Sequence, residues 1–419
     1  MIRRLQALAI SAVLVVAAFS TGRPLLFYLV YLGLLVVGGS YVLVRSGLSD
    51  LEAGYAVSQL HGHVGDRIRV TYTVRNGSRL PKPWLEIHNP TTMPGGLPGR
   101  ALTLRGRAER SWLIRVPLTR RGHFRIEPLH VRTADPFGFF EAAATVGQAV
   151  SVVVYPRLEA LPAWRLPSAS LEGSHSAAVR TLQTTPLATS VRPYAPGDSM
   201  NRIHWRSTAR HGEIQVKEFD LEQTADAWII VDLERGIQAG QGDESTTEAA
   251  VRAAAAIADK ALAENRAVGM TVNGARTAFL PADRGGRQHL KVMQLLAAVE
   301  ADSSTPLVET LLASVGRLRR GMTAVIITAS LDPTWVRPLA ALRARGVSCV
   351  VVTLDAEAYR RTEAEMREQS MEENPAPVDP DAMEVMAKRG RALRHALAEY
   401  ELKVYSITPG RPLGEMLAG

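Results

Sequence analysis

At 419 residues the chain is long enough for roughly two or three domains with separate hydrophobic cores, which argues against a single compact fold. Its net charge of +8 is unevenly spread, because residues 51–150 hold fourteen Lys and Arg against seven Asp and Glu, a difference of +7. The one cysteine, Cys349, excludes an intramolecular disulfide, and no zinc spacing, helix-turn-helix or aromatic-interleaved basic groove supports nucleic-acid binding.

Leu5 to Phe19 is almost wholly apolar, Ser20 to Pro24 is a turn-rich break, and Leu25 to Val44 is a second apolar run without a charge. The second run is about 20 residues, enough to cross a hydrocarbon core of roughly 30 Å at about 1.5 Å per residue. The shorter first run spans if the bilayer thins or its polar flanks sit in the interface. Arg3 and Arg4 precede the pair, Arg45 follows it, and only Arg23 lies between, so the positive-inside rule places both ends in the cytoplasm. Residues 1–46 are therefore predicted to be a transmembrane helical hairpin in the inner or plasma membrane, with the soluble domains cytoplasmic. The rival is a signal peptide ending near Val16-Ala17-Ala18, which would put the bulk of the chain outside. The basic stretch that follows suits contact with anionic lipid better than with nucleic acid.

Residues 51–160 are predicted to form a small β-sandwich-like domain. Arg67 to Val74 alternates polar and apolar residues and runs into Asn76-Gly77, a hairpin signal. Further strands are expected at Trp84 to His88, Ser111 to Leu118, Gly122 to Arg132 and Val150 to Tyr155. Asp135-Pro-Phe-Gly138 reads as a turn whose carboxylate bonds its own backbone.

Residues 161–224 are a linker with a dense signature, Val191-Arg-Pro-Tyr-Ala-Pro-Gly-Asp-Ser-Met-Asn-Arg-Ile-His-Trp-Arg-Ser-Thr-Ala-Arg-His-Gly-Glu. Asp198 is placed to cap a helical turn from Ser199 to Thr208, with Trp205 burying its indole face. Arg192, Arg202, Arg206 and Arg210 need acceptors. They fit either a clasp between the soluble domains, countered by Asp198, Glu213, Glu218 and Asp220, or a site for a phosphate or an acidic peptide. His204 stands without an accompanying nucleophile or metal-ligand spacing.

Residues 225–419 alternate short apolar strands with helical patterns, the signal for a parallel sheet with helices on both faces. Strands are expected at Trp228 to Leu233, Ala267 to Val272, Thr277 to Leu280, Thr323 to Thr328, Ser348 to Leu354 and Lys403 to Ile407. Helices are expected at Thr246 to Asn265, Arg287 to Val299, Pro306 to Arg319, near Trp335 to Arg345, and at Glu384 to Tyr400. Charged residues from Glu357 to Met383 suggest a solvated helix and a loop.

The signature resembles that of the bacterial domain-of-unknown-function 58 family: an Arg-x-Tyr-x-Pro-Gly-Asp turn, an Ile-x-Trp core, an Ala-Arg pair, and a strand leading into a von Willebrand A-like domain. Arg192, Tyr194, Pro196, Gly197, Asp198, Arg202, Ile203, Trp205, Ala209, Arg210 and Glu218 occupy matching positions. The N-terminal apolar pair, Arg120-Arg-Gly, Asp135-Pro-Phe-Gly138 and Val154-Tyr-Pro156 are also similar to the family. The resemblance implies a multi-domain chain ending in a von Willebrand A-like, Rossmann-type α/β domain that docks protein partners, with a MoxR-type AAA ATPase as partner in envelope assembly or maturation.

The von Willebrand A resemblance also implies where Mg²⁺ would be held. Asp232 is retained, Glu234 and Gly236 stand in place of two hydroxyl ligands, and Thr305 and Asp332 fall in the regions of the later ligands. A hard ion needs several oxygen ligands, so the site is expected to be degenerate, with no metal or other cofactor. Walker A, Gly-x-Ser-x-Gly and paired-His motifs are missing from the sequence. The expectation is a non-enzymatic membrane scaffold. The alternatives are an enzyme acting on an acidic or phosphorylated substrate through Asp198, His204 and the neighbouring arginines, and a metal-dependent adhesion receptor facing outside.

Overall fold

The structure, a computed structural model, describes residues 2–167, 190–195, 198, 200–218, 226–274, 276–369 and 380–418. By packing, the chain divides into two units, Met1–Leu158 with Met293–Ala298, and Glu159–Val292 with Val299–Gly419. The first unit opens with two helices, α1 (Ile2–Thr21) and α2 (Pro24–Gly47). They break at Gly22, whose φ of 66° is open to glycine at little cost, and Pro24 starts α2 where its missing N–H costs nothing. The rings of Phe19 and Phe27 meet edge to face across the break at 5.4 Å. With 24 residues, mostly exposed, α2 is long and apolar enough to cross a membrane, whereas the apolar part of α1, Ile10–Thr21, is shorter.

Ten strands follow: β1 (Leu51–Val57), β2 (His61–His63), β3 (Arg67–Asn76), β4 (Lys82–His88), β5 (Arg100–Leu104), β6 (Glu109–Pro117), β7 (Gly122–Ile126), β8 (Leu129–Ala134), β9 (Glu141–Val146) and β10 (Val150–Tyr155). They form sheets ordered β1-β3-β6, β5-β4-β8-β9 and β2-β10-β7. The strict alternation along β3 turns Ile68, Val70, Tyr72 and Val74 inward, against Leu85, Ile87, Leu129, Val131, Val152 and Val154 from the other two sheets. The expected sandwich-like domain is thus three small sheets around one core.

Two expectations for this unit are corrected. Asn76-Gly77 is not a hairpin turn, because β3 pairs with β1 and β6 while β4 lies in another sheet. Asn76 is buried instead, and its Nδ2 donates to the carbonyls of Leu80 at 2.8 Å and Arg105 at 3.0 Å. Gly122 to Arg132 is two strands, since β7 pairs with β10 and β8 with β4 and β9. Pro128 lies between them and has no N–H to continue a ladder.

The last turn of α2 is set firmly into these strands. A Cβ on Gly47 would lie 2.8 Å from the Thr133 side chain, so only glycine lets the two approach. Lys82, 1% exposed, donates from Nζ to the carbonyls of Ser46 and, at 2.7 Å, Ser49. A cation here satisfies carbonyls that a helix end leaves without partners and opposes the negative end of its dipole. Burial pushes the Lys82 ammonium down from its ordinary pKa, partly countered by Asp50.

The second unit begins, among its described elements, with β11 (Ser190–Pro193), α3 (Trp205–His211) and β12 (Gln215–Glu218), where β11 and β12 pair antiparallel. Next come β13 (Ala227–Asp232), the two-residue strands β14 (Gly240–Gln241) and β15 (Glu244–Ser245), and α4 (Thr246–Ala263). After these lie β16 (Val268–Asn273), β17 (Thr277–Asp283), α5 (Gly285–Ala298, its residues from Met293 on counted with the first unit), α6 (Leu307–Ser314), β18 (Thr323–Thr328) and α7 (Val336–Ala344). The unit closes with β19 (Ser348–Leu354), α8 (Ala356–Gln369), α9 (Pro380–Glu399), β20 (Lys403–Ile407) and α10 (Leu413–Met416).

The main sheet runs β17-β16-β13-β18-β19-β20. It is mixed, not all parallel, because β17 pairs antiparallel with β16. Only residues 274–276 join those two strands, too few for the crossover that a parallel partner requires. The strands β13, β16 and β18 are buried along their whole length, as a sheet covered on both faces demands. On one face Trp228, Ile230, Ile326 and Val351 pack with Leu311, Trp335 and Leu339. Gly269 makes room for this: a Cβ there would come within 2.3 Å of the Trp228 ring, whose Nε1 donates to Thr271 at 2.9 Å. The alanine-rich α4 starts at a cap in which the Ser245 hydroxyl accepts from the Glu248 N–H, the Ser-x-x-Glu pattern of a helix start.

Candidate functional site

Two clusters of polar side chains stand where the local fold collects them. The first is at the carboxyl ends of the central strands, where β13, β16 and β18 finish in Asp232, Asn273 and Thr328. Register pairs Asp232 with Asn273 across β13 and β16. Asp232, 0% exposed, accepts from the Thr328 hydroxyl at 2.7 Å, the Glu234 N–H at 3.3 Å and Asn273 Nδ2 at 3.5 Å. Burial pushes its carboxyl above the ordinary carboxylate range, and those three donors only partly offset it.

Around this carboxyl the loops are laced together. Ser303 donates to Asn273 Oδ1 at 2.7 Å, and Asn273 Nδ2 donates to the Thr305 carbonyl at 2.7 Å. Glu234 forms an isolated bridge with Ser303 and precedes the short turn Arg235–Ile237 that contains Gly236. The Glu234 carboxyl is also raised, by burial first and then by the negative charges of Asp232 and Asp332. Asp332 spends its own carboxylate on Thr334, accepting from the hydroxyl at 2.6 Å and the N–H at 3.1 Å.

Of the five positions matched to Mg²⁺ ligands, three have an oxygen in hydrogen bonds to neighbouring groups, and Gly236 has no side-chain oxygen. Asp232 is engaged by its neighbours, Thr305 contributes its carbonyl to Asn273, and Asp332 caps its own turn. Among the described residues, no three or more His, Cys, Asp and Glu side chains are grouped at one point. Sequence reasoning passed over Thr328, Asn273 and Ser303, although the first two are the polar residues that end otherwise apolar runs.

The second cluster is the signature segment. Arg192 and Asp198 form a two-pronged pair, Nη1 to Oδ2 at 2.8 Å and Nη2 to Oδ1 at 2.7 Å, and Asp198 Oδ2 also accepts the Ala195 N–H at 2.9 Å. The carboxylate thus closes the turn after β11, and a short 3-10 helix, Met200–Arg202, follows within the helical turn expected from Ser199, a residue that itself lies outside the described ones. The cap of α3 is His204, whose Nδ1 accepts from the Ser207 N–H at 3.1 Å, while Gly212 ends the helix with φ 73°. Pro196 and Gly197 lie outside the described residues, as do the side chains of Arg202 and Glu218.

Trp205 corrects the expectation of a buried ring: its indole is 71% exposed. Ile203 takes the inward place, bridging to Val216 of β12, with both side chains buried. Elsewhere in the segment the side chains of Val191, Tyr194, Met200 and Ile214 also face solvent, as do Arg206 and Arg210, one helical turn apart on α3. The segment brings its apolar and cationic groups outward together.

Several known proteins are similar to parts of the chain. An uncharacterized protein of Mycobacterium tuberculosis is 33% identical over 171 residues, covering 39% of this chain and 53% of the relative. The uncharacterized protein YeaD of Bacillus subtilis is 24% identical over 271 residues, covering 62% of this chain and 65% of YeaD. The chain thus spans between about half and two thirds of the length of the curated relatives it matches. Among solved structures, the CARDB domain of a Pyrococcus furiosus protein covers 25% of this chain and 92% of its own, at 14% identity and a TM-score of 0.19. Proximal thread matrix protein 1 from the mussel byssus covers 31% of this chain and 37% of its own, at 12% identity and a TM-score of 0.25. Likenesses this slight carry no argument. Residues 190–366, which contain the Arg192–Asp198 turn and the Asp232 strand edge alike, match the family described as Protein of unknown function DUF58.

Proposed function

We propose that the chain is a membrane-anchored, non-enzymatic scaffold whose cytoplasmic units dock protein partners in envelope assembly or maturation. A MoxR-type AAA ATPase is the partner implied by the family resemblance. In this reading α1 and α2 are a two-pass hairpin in the inner or plasma membrane, and the sheet of the second unit belongs to a von Willebrand A-like domain. Its strand order, which reverses at β13 and β18 and carries one antiparallel edge strand, supports that fold.

The observation that carries the docking role is the outward-facing Trp205 beside Arg206 and Arg210. Tryptophan and arginine dominate the residues on which interfaces depend, and covering a large apolar side chain gains about 1.5–3 kcal/mol. A segment that keeps such a ring in water holds that gain in reserve for a partner.

The test is binding of the purified full chain to a MoxR-type ATPase. Trp205→Ala should weaken the complex by about tenfold or more, equivalent to about 1.4 kcal/mol. Unchanged affinity in the variant, or no complex with the wild type, would sink the proposal. For topology, reporters fused after Ser46 and at the C-terminus should both behave as cytoplasmic, and periplasmic activity at either would overturn the two-pass arrangement.

A further inference from the structure

Three of the large apolar side chains that the strands of the first unit leave exposed belong to segments gathered at the exit of α2. Leu80 is 57% exposed, Trp84 51% and Phe137 55%. Leu80 and Trp84 flank Lys82, whose ammonium grips the carbonyls of Ser46 and Ser49 at the end of α2. The Trp84 carbonyl accepts from Thr133 Oγ1 at 2.8 Å, and the Thr133 side chain lies against Gly47. Phe137 stands on the turn after β8, where its ring stacks on Phe139 at 5.8 Å and the neighbouring Phe140 ring meets Tyr41 of α2 edge-on at 5.6 Å.

That turn is fixed by hydrogen bonds, with Phe137 exposed and Phe139 and Phe140 half-buried. Asp135 accepts from the Phe137 N–H at 2.9 Å and the Phe140 N–H at 2.6 Å, while Gly138 takes φ 75°. Burial opposes ionisation of the Asp135 carboxyl, but the amides of Phe140, Phe139 and Phe137 outweigh it and hold the group below the usual carboxylate range. Tyr41 lies inside the apolar run of α2, so the ring it touches sits at the level where a membrane helix leaves hydrocarbon.

Charge at this end has one dominant sign. Exposed Arg45 is on α2 itself, and exposed Arg79, Arg105 and Arg107 lie on two loops joined through the Arg107 N–H to Ser78 carbonyl bond at 2.9 Å. Carboxylates of the same end include Asp50, whose carbonyl accepts from the Gly77 N–H, Asp135, which is bound by the amides of its own turn, and Glu141, which is paired with Arg132. Aromatic rings with arginines among them are the composition of a bilayer interface, where rings sit at headgroup level and cations meet acidic lipid.

We propose that Leu80, Trp84 and Phe137 form a collar that rests in the interface of an anionic bilayer, with Arg45, Arg79, Arg105 and Arg107 on its headgroups. The proposal rests on the reading of α2 as a membrane span and adds to it that the β-rich unit is itself seated in the lipid surface.

The experiment uses the full chain with Cys349→Ala and single labelled cysteines, reconstituted in phosphatidylcholine vesicles with or without phosphatidylglycerol and probed with lipid-borne and aqueous quenchers. Labels at Phe137→Cys and Leu80→Cys should lose fluorescence to the lipid-borne quencher, more so with phosphatidylglycerol. A label at Leu60→Cys should not, because it lies beyond the far end of β1, about 20 Å along the strand from Leu51. A label at Leu32→Cys reports α2 itself. If Leu32 escapes the lipid quencher, the membrane reading fails; if Leu32 is quenched while 137 and 80 answer only to the aqueous quencher, the collar alone fails. Shielding of 137 and 80 from both quenchers would put protein on the collar and overturn the proposal, and indifference to phosphatidylglycerol would overturn its anionic part.

Discussion

Arg192 and Asp198, six positions apart, face each other through two nearly equal hydrogen bonds, 2.8 and 2.7 Å. The planar guanidinium matches both carboxylate oxygens, a geometry lysine cannot copy. Because Arg192 is partly open to water, the pair is worth far less than a buried one. A double-mutant cycle with Arg192→Ala and Asp198→Ala should give a coupling of about 1 kcal/mol in the unfolding of this unit. Additive single-variant effects would mean that the two bonds contribute nothing jointly.

The approach of Gly47 to Thr133 allows a test by rescue. Gly47→Val should lower stability by about 1–3 kcal/mol through overcrowding, read as a fall in the melting temperature of the purified full chain. Adding Thr133→Ala should recover part of that loss. No loss in the single variant, or no recovery in the double, would show that the helix end is not fitted as described.

For Asp232 the sign of the pH dependence follows from the direction of its shift. Burial raises the folded pKa, so the folded state holds the proton more tightly than the unfolded state, whose value is about 4. The stabilising contribution of this group is complete below the unfolded value and disappears as pH rises through the folded one. The stability of the wild type relative to Asp232→Asn should therefore decline from acid to neutral pH in denaturant titrations. A difference that rises with pH would falsify the assignment.

Cys349 should be chemically silent in the folded chain. Burial pushes its thiol up to about 12, with Arg343 pulling weakly the other way. The thiolate is the reactive form, so an aromatic disulfide reagent at about pH 8 should leave the folded protein unmodified and titrate one thiol after denaturation. Rapid reaction before unfolding would place the residue nearer the surface than its 8% exposure.

Three strands of the second unit were legible to the residue, while β13 and β16 each lie one residue away from the expected bounds. Thr323–Thr328, Ser348–Leu354 and Lys403–Ile407 each form an observed strand with the bounds expected from the sequence. The first two are covered on both faces and so read as continuous apolar runs with abrupt polar ends, whereas the edge strand Lys403–Ile407 alternates buried Tyr405 and Ile407 with exposed neighbours, and both patterns are local. Strand β9, Glu141–Val146, escaped notice because Ala142, Ala143 and Ala144 lack the branched side chains that mark a strand. Its place comes from pairing with β8, which no local pattern encodes.

The sites divide along the same line. That Asp232 ends a strand is visible in the sequence, but Thr328 reaches it across 96 positions of chain, through the register of β13 with β18. Trp205 misled for a different reason: a tryptophan beside Ile203 looks like core by composition, and only the fold assigns the inward position to one of them.

The grip of Lys82 on the end of α2 has a practical consequence for anyone cutting the protein down. The obvious soluble fragment begins at Leu51, where the first strand starts. It would delete both carbonyls that receive the Lys82 ammonium, and with them the glycine packed on Thr133. The fragment would lose the partners of the Lys82 ammonium and the packing on Thr133 together, and should be less stable for reasons unrelated to the missing membrane. A start point upstream of Tyr41 keeps those acceptors and the ring that supports Phe140, at the expense of one short greasy overhang.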